Sequence, residues 1–214
     1  MKRRALLALG LLPLCVPAGA QPARVAAAPQ PRALALSAAD RTDVARIEAY
    51  LNGLRTLRAR FLQVAPDGAI SQGNAWIERP GRMRFEYDPP SPLLLVAGNG
   101  GGMFYDKQLK QVTSFPLSST PLGILLADKL KLEGAVTISG IERMPGQIQV
   151  SMFRTDSPGD GSLTLVFADK PLSLRQWMIT DPQQRETTVS LFNVALGGRF
   201  DQKLFETADP RLLE

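Results

Sequence analysis

A mainly β fold, read as an antiparallel meander that is strongly curved or partly closed, is predicted by three observations. The chain carries 18 Gly and 17 Pro, together 35 of its 214 residues, a turn-rich composition. Past residue 58 the apolar spacing drops from about 3.6 to about 2. Short apolar runs then follow one another to residue 205, separated by turn residues, with no linker and no internal repeat. About ten or eleven strands are expected, with one long helix in front and one short helix in the middle.

The elements follow in order. Lys2, Arg3 and Arg4 precede an apolar run of 12 residues, Ala5 to Val16, and Ala18-Gly19-Ala20 offers a small-x-small cleavage site before Gln21. Residues 1–20 therefore read as an export signal of the general secretory type, too short to span a bilayer. Leu14 before Cys15 is the wrong neighbour for lipidation, so a soluble periplasmic product is expected. Cleavage removes three of the 25 basic residues and none of the 20 acidic ones, leaving a mature net charge of +2. No basic block of the kind that binds nucleic acid is present.

Residues 21–37, rich in Ala, Pro and Gln, read as a loose leader, and 38–214 as a single domain. Residues 38–58 read as a helix capped by Ser37 or Asp40, with Val44, Ile47, Leu51, Leu54 and Arg58 along one stripe and Gly53 as a weak point. Leu57, Ala59, Phe61 and Gln63 begin the two-residue alternation. Residues 69–79 form the next strand, and Pro80-Gly81 turns the chain. Met83, Phe85 and Tyr87 alternate with charged neighbours in the cleanest half-buried strand. Residues 93–96, 103–105 and 109–115 are short strands around a 98–102 loop. Ser119-Thr120-Pro121 opens a helix over 119–128, with hydroxyl caps and Leu122, Ile124, Leu125 and Leu126 apolar nearly all round. Strands resume over 135–143, 147–154, 162–169, 172–180 and 185–193, with a last one at 199–205.

Composition excludes much chemistry. The chain has no His, which removes imidazole triads, imidazole metal sites and imidazole pH switches. Its one Cys lies in the export segment, which leaves the mature chain without disulfides or thiolates. Glu78 and Glu86 are flanked by opposite charges and read as a solvated face rather than a catalytic pair. No enzyme, cofactor or metal is expected.

Several motifs occur in an order that resembles the LolA family of periplasmic lipoprotein carriers. Phe61-Leu62-Gln63 resembles its F-x-Q, and Gly73-Asn74-Ala75-Trp76-Ile77-Glu78-Arg79-Pro80 its G-x-x-W-x-x-R-P. Arg82 to Tyr87 with Pro90, Gly98-Asn99-Gly100 with Phe104-Tyr105-Asp106, and Thr120-Pro121-Leu122 resemble three further family stretches. The resemblance covers about residues 38–205. It implies an unclosed half-barrel whose concave apolar side lies under short lid helices. It further implies a monomer that takes acylated lipoproteins from an inner-membrane ABC transporter complex and passes them to an outer-membrane acceptor.

Met83, Phe85, Tyr87, Leu93 and Leu95 are candidates to line the acyl cavity, with Leu122, Leu125 and Leu126 on the underside of the lid; ordinary core packing is the plain alternative for each. The resemblance makes Met83 a candidate partner contact at the cavity mouth and Arg79 a latch that hydrogen-bonds lid backbone. A guanidinium, with five donors in a rigid fork, suits that role. Trp76 reads as a buried anchor on the face opposite Arg79, and Gln63 as either a donor to lid or loop backbone or an exposed strand residue. A module of the same fold for another amphiphile, or the outer-membrane acceptor itself, is the rival reading.

Overall fold

The computed structural model describes residues 32–207. The export segment 1–20, with its cleavage point and Cys15, and residues 21–31 of the leader lie outside the described residues. The leader's end is attached: Leu34 N–H donates to Ile138 O at 2.8 Å, and Leu36 packs on the core.

Helix α1 spans Ala38–Gly53 and the eleven strands are β1 Thr56–Val64, β2 Ile70–Glu78, β3 Arg82–Tyr87, β4 Leu93–Gly98, β5 Gly101–Asp106, β6 Gln111–Pro116, β7 Val136–Met144, β8 Gln147–Arg154, β9 Ser162–Asp169, β10 Leu172–Thr180 and β11 Glu186–Leu196. Helix α2 is Leu122–Leu126, preceded by a 3-10 turn at Leu117–Ser119. All pairings are antiparallel, in the order β6-β5-β4-β3-β2-β1-β11-β10-β9-β8-β7. The chain meanders out from β1 to β6, crosses to β7 and meanders back, so β11 closes on β1. The sheet stays open between β6 and β7, and the crossover carries α2.

Local chemistry sets the boundaries. Ser37 and Asp40 form a reciprocal capping box, so the two expected caps act as one. α1 ends at Gly53 rather than 58, because Leu54 leaves helical geometry and Arg58 is already in β1. The expected 98–102 loop is a two-residue hairpin. Asn99 and Gly100 both have positive φ, 52° and 79°, and adopt the tight turn that joins β4 to β5.

Two expectations fail where tertiary context wins. Residues 199–205 form no strand, because β11 already occupies the bond partners of β1. Gly197 and Gly198 lead the chain out of the sheet, and a 3-10 turn at Gln202–Phe205 packs behind β3 and β4. The hydroxyls of Ser119 and Thr120 do not cap α2. They close the preceding turn, on Pro116 O at 2.8 Å and Leu117 O at 2.9 Å.

One apolar cluster joins α1, α2 and the inner face of the sheet. A small second cluster, Leu94, Val96, Met103 and Tyr105, lies on the opposite face.

Candidate functional site

The inner face presents a row of aromatic rings. Phe61 lies 4.8 Å from Phe85 and 5.1 Å, edge-on, from Tyr87, while Phe85 meets Trp177 edge-on at 5.8 Å. Register explains the row: Phe61 faces Gly73 across the β1–β2 ladder, and Gly73 faces Tyr87 across β2–β3. With no side chain at 73, the two rings approach over it. Trp177 joins from the far half because a bulge between Leu174 and Gln176 shifts the alternation, leaving Leu174 and Trp177 both buried. Phe61 and Trp177 were not among the expected lining residues. Parity with Leu57 and Ala59 carried the signal for Phe61, whereas nothing in a two-residue period announces the bulge.

The expected lining residues lie in this place. Met83, Phe85, Tyr87, Leu122, Leu125 and Leu126 belong to the central cluster, and Leu93 and Leu95 pack against it half-buried. Met83 is 1% exposed, so it presents no surface to a partner. The Tyr87 hydroxyl donates to Gln63 Oε1 at 2.8 Å, and burial pushes its pKa up to about 12. Gln63 is therefore half-buried and accepts from an interior hydroxyl, rather than holding the lid or facing solvent. Trp76 does face away from Arg79, as alternation requires, but it is no buried anchor. It is half-buried on the outer face with Arg58 over its ring at 5.9 Å.

Arg79 is 5% exposed, on the inner side just past β2. Its Nη2 donates to Ala127 O at 2.6 Å, and Gly81 N–H donates to Leu126 O at 2.8 Å. The β2–β3 turn thus satisfies two carbonyls at the C-terminal end of α2, which a helix leaves unpaired. Arg79 Nε is buried with no acceptor. Burial, and then the neighbouring Arg55 charge, lower the Arg79 pKa, with Asp128 partly offsetting them. The guanidinium stays charged, and its single carbonyl is a thin return for desolvation.

α2 is held tightly only at its ends. Upstream, Leu117 N–H donates to Gly100 O at 3.1 Å; downstream, Leu130 is gripped by Asn52, both bonds at 2.9 Å. A Cβ on Gly123 would come 2.6 Å from Leu117 O, so the turn and α2 stack closely only with glycine there. Clefts of about 410 Å³ flank α2 on both sides, one toward β7 at Val136 and β8 at Arg154, the other toward β10 at Ile179. Among the described residues no group of His, Cys, Asp or Glu is placed to hold a metal ion, and no helix is long and apolar enough to cross a membrane.

Comparison with known proteins agrees with this layout. The "Outer membrane lipoprotein carrier protein LolA" family matches residues 52–208. An outer-membrane lipoprotein carrier protein of Methylococcus capsulatus is 29% identical over 183 residues, covering 81% of this chain and 87% of that one. Its counterpart in Azotobacter vinelandii is 28% identical over 192 residues, covering 83% and 89%. A solved LolA superfamily protein from Nitrosomonas europaea is 9% identical and covers 77% of this chain and 97% of its own, with a TM-score of 0.43. Because the family matches residues 52–208 of the 214, from the end of α1 through the whole sheet and α2, this chain belongs to the LolA family of outer-membrane lipoprotein carrier proteins.

Proposed function

We propose that the protein is a periplasmic carrier that shields the acyl chains of lipoproteins between the inner and outer membranes, loading from an inner-membrane ABC transporter complex and unloading to an outer-membrane acceptor. It acts by binding, without covalent chemistry, as a monomer released from its signal after Ala20.

The observation that carries this reading is the attachment of α2. Its Leu122, Ile124, Leu125 and Leu126 are buried on the inner face. At about 1.5–3 kcal/mol for each large apolar side chain, the lid contributes roughly 6–12 kcal/mol of burial. One 16-carbon acyl chain offers on the order of 10 kcal/mol, at about 0.8 kcal/mol per CH₂. The exchange of lid for cargo is therefore close to balanced, and a bond worth about 1.5–3 kcal/mol can decide it. Arg79 to Ala127 O is such a bond. It exists when the lid is closed and breaks when cargo displaces α2, so it drives release.

The test adds purified protein to spheroplasts and follows newly made lipoproteins into the soluble fraction, then to outer membranes. Wild type is expected to form a one-to-one soluble complex and deliver its cargo. Arg79→Leu is expected to load and then release roughly 10- to 100-fold more slowly, as the lost bond dictates. Normal transfer by that variant would refute the latch; no soluble complex with wild type would refute the carrier.

A further inference from the structure

Beneath the latch, a pocket of about 330 Å³ opens between the start of β1, the end of β2 and the chain leaving β11. Arg55, Thr56, Glu78, Arg79, Arg199 and Phe200 are among its walls. Its charge is unbalanced. Glu78 is committed to Arg82 at 2.8 Å and also accepts from Gln202 at 3.3 Å. The side chains of Arg55 and Arg199 are exposed and form no hydrogen bond or ion pair with any described residue. Arg79 is buried, has one carbonyl acceptor and an orphaned Nε–H. The Arg55 charge is close enough to weigh on that of Arg79, and Asp128 offsets only part of it.

Three arginines thus line a cavity whose one lining carboxylate, Glu78, is already paired. Guanidinium forks match the oxygens of a phosphate group, and several can bind it at once. The cavity exceeds the needs of a bare phosphate, and Phe200 supplies an apolar wall for the carbon attached to it.

We propose that this pocket binds the phosphate of an anionic lipid headgroup through Arg55, Arg199 and Arg79, and that the bound phosphate draws Arg79 away from Ala127 O and frees α2. Binding stands on the pocket alone; the freeing of α2 rests on the latch reading above. A carrier built this way senses the membrane surface through the residue that holds its lid.

The experiment titrates the purified protein with inorganic phosphate against sodium chloride at equal ionic strength. It also floats the protein with phosphatidylglycerol–phosphatidylcholine vesicles against pure phosphatidylcholine. Amide hydrogen exchange over residues 118–129 is read in each arm. Phosphate and phosphatidylglycerol vesicles are both expected to bind and to raise that exchange several-fold. The Arg55→Gln/Arg199→Gln double variant, with an unchanged melting temperature, is expected to bind about ten-fold more weakly or worse. Equal binding by wild type and double variant, or equal effects of phosphate and chloride, means an adventitious ion only and overturns the site. Phosphate binding without vesicle binding overturns the headgroup as its source. Binding without faster exchange overturns the release of α2. Normal transfer by Arg79→Leu would remove the latch and leave the titration untouched, so the two readings fail separately.

Discussion

α1 and α2 bury apolar faces in the same cluster, yet one is bolted to the sheet and the other is clipped to it. α1 has 16 residues and a capping box. Asp40 and Asp43 pair with Arg143 on β7 at 2.8 and 2.7 Å, and Arg46 reaches Asp169 at the end of β9 at 2.6 Å. Its polar side chains also hold backbone: Asn52 brackets Leu130, and Glu48 Oε1 accepts from Leu132 N–H at 2.5 Å. α2 has five residues and no side-chain cap, and the β2–β3 turn meets only its last carbonyls. α1 fixes the far end of the crossover as well as itself, so the proposed opening of α2 is expected to stay within residues 118–129, between two anchored points.

Core truncation is expected to divide the helices most sharply. Leu51 is fully buried on α1, and Leu51→Ala should lower global stability by about 2–5 kcal/mol in urea unfolding. Leu125→Ala, at an equally buried site on α2, should instead lower the cost of opening the lid, seen as faster hydrogen exchange over 118–129 with a smaller shift of the global midpoint. Equal global losses would break the distinction.

Next come the anchors. Asn52→Ala leaves both the N–H and the C=O of Leu130 without their partner and should cost about 1–3 kcal/mol. Exchange at the Leu130 amide should then approach that of the lid; a protected Leu130 amide would mean that α1 is not the anchor. Gly123→Ala forces its methyl against Leu117 O and should cost about 1–3 kcal/mol, all of it in lid closure. Increased uptake of an apolar dye at unchanged unfolding midpoint is the expected reading.

The smallest effect is the pH dependence of the α1 bolts. The Ser37 hydrogen bonds, aided by Arg143, lower the Asp40 pKa to about 2, below its ordinary value near 3.8. A depressed carboxylate contributes its stability in full above the unfolded pKa and loses it as pH falls through the folded value. The contribution from Asp40 should therefore be constant above about pH 4 and fade between about pH 4 and 2. Asp40→Asn should abolish that segment of the stability–pH curve, whereas Arg79→Leu should leave it unchanged.

Much of the interior was legible from spacing. The α1 stripe of Val44, Ile47 and Leu51, and the alternation of Met83, Phe85 and Tyr87, follow from burying one face of a helix and one face of a strand. Less legible were features that depend on remote neighbours. Trp76 and Trp177 look alike as residues, but a bulge in β10 brings Trp177 inside while parity leaves Trp76 under Arg58. Gln63 found a partner 24 residues away.

Periodicity and turn chemistry are local, so the sequence by itself determined the order of elements, the curved antiparallel class, the apolar faces and, through its motifs, the family. Other features come from contacts between segments far apart in the chain: the pairing of β11 with β1, the expulsion of residues 199–205 from the sheet, the grip of Asn52 on Leu130, and the choice of the Ala127 carbonyl as the partner of Arg79. Only the tertiary structure decided those, because a hydrogen bond across 48 residues is set by where the fold places both ends and by no property of either end alone.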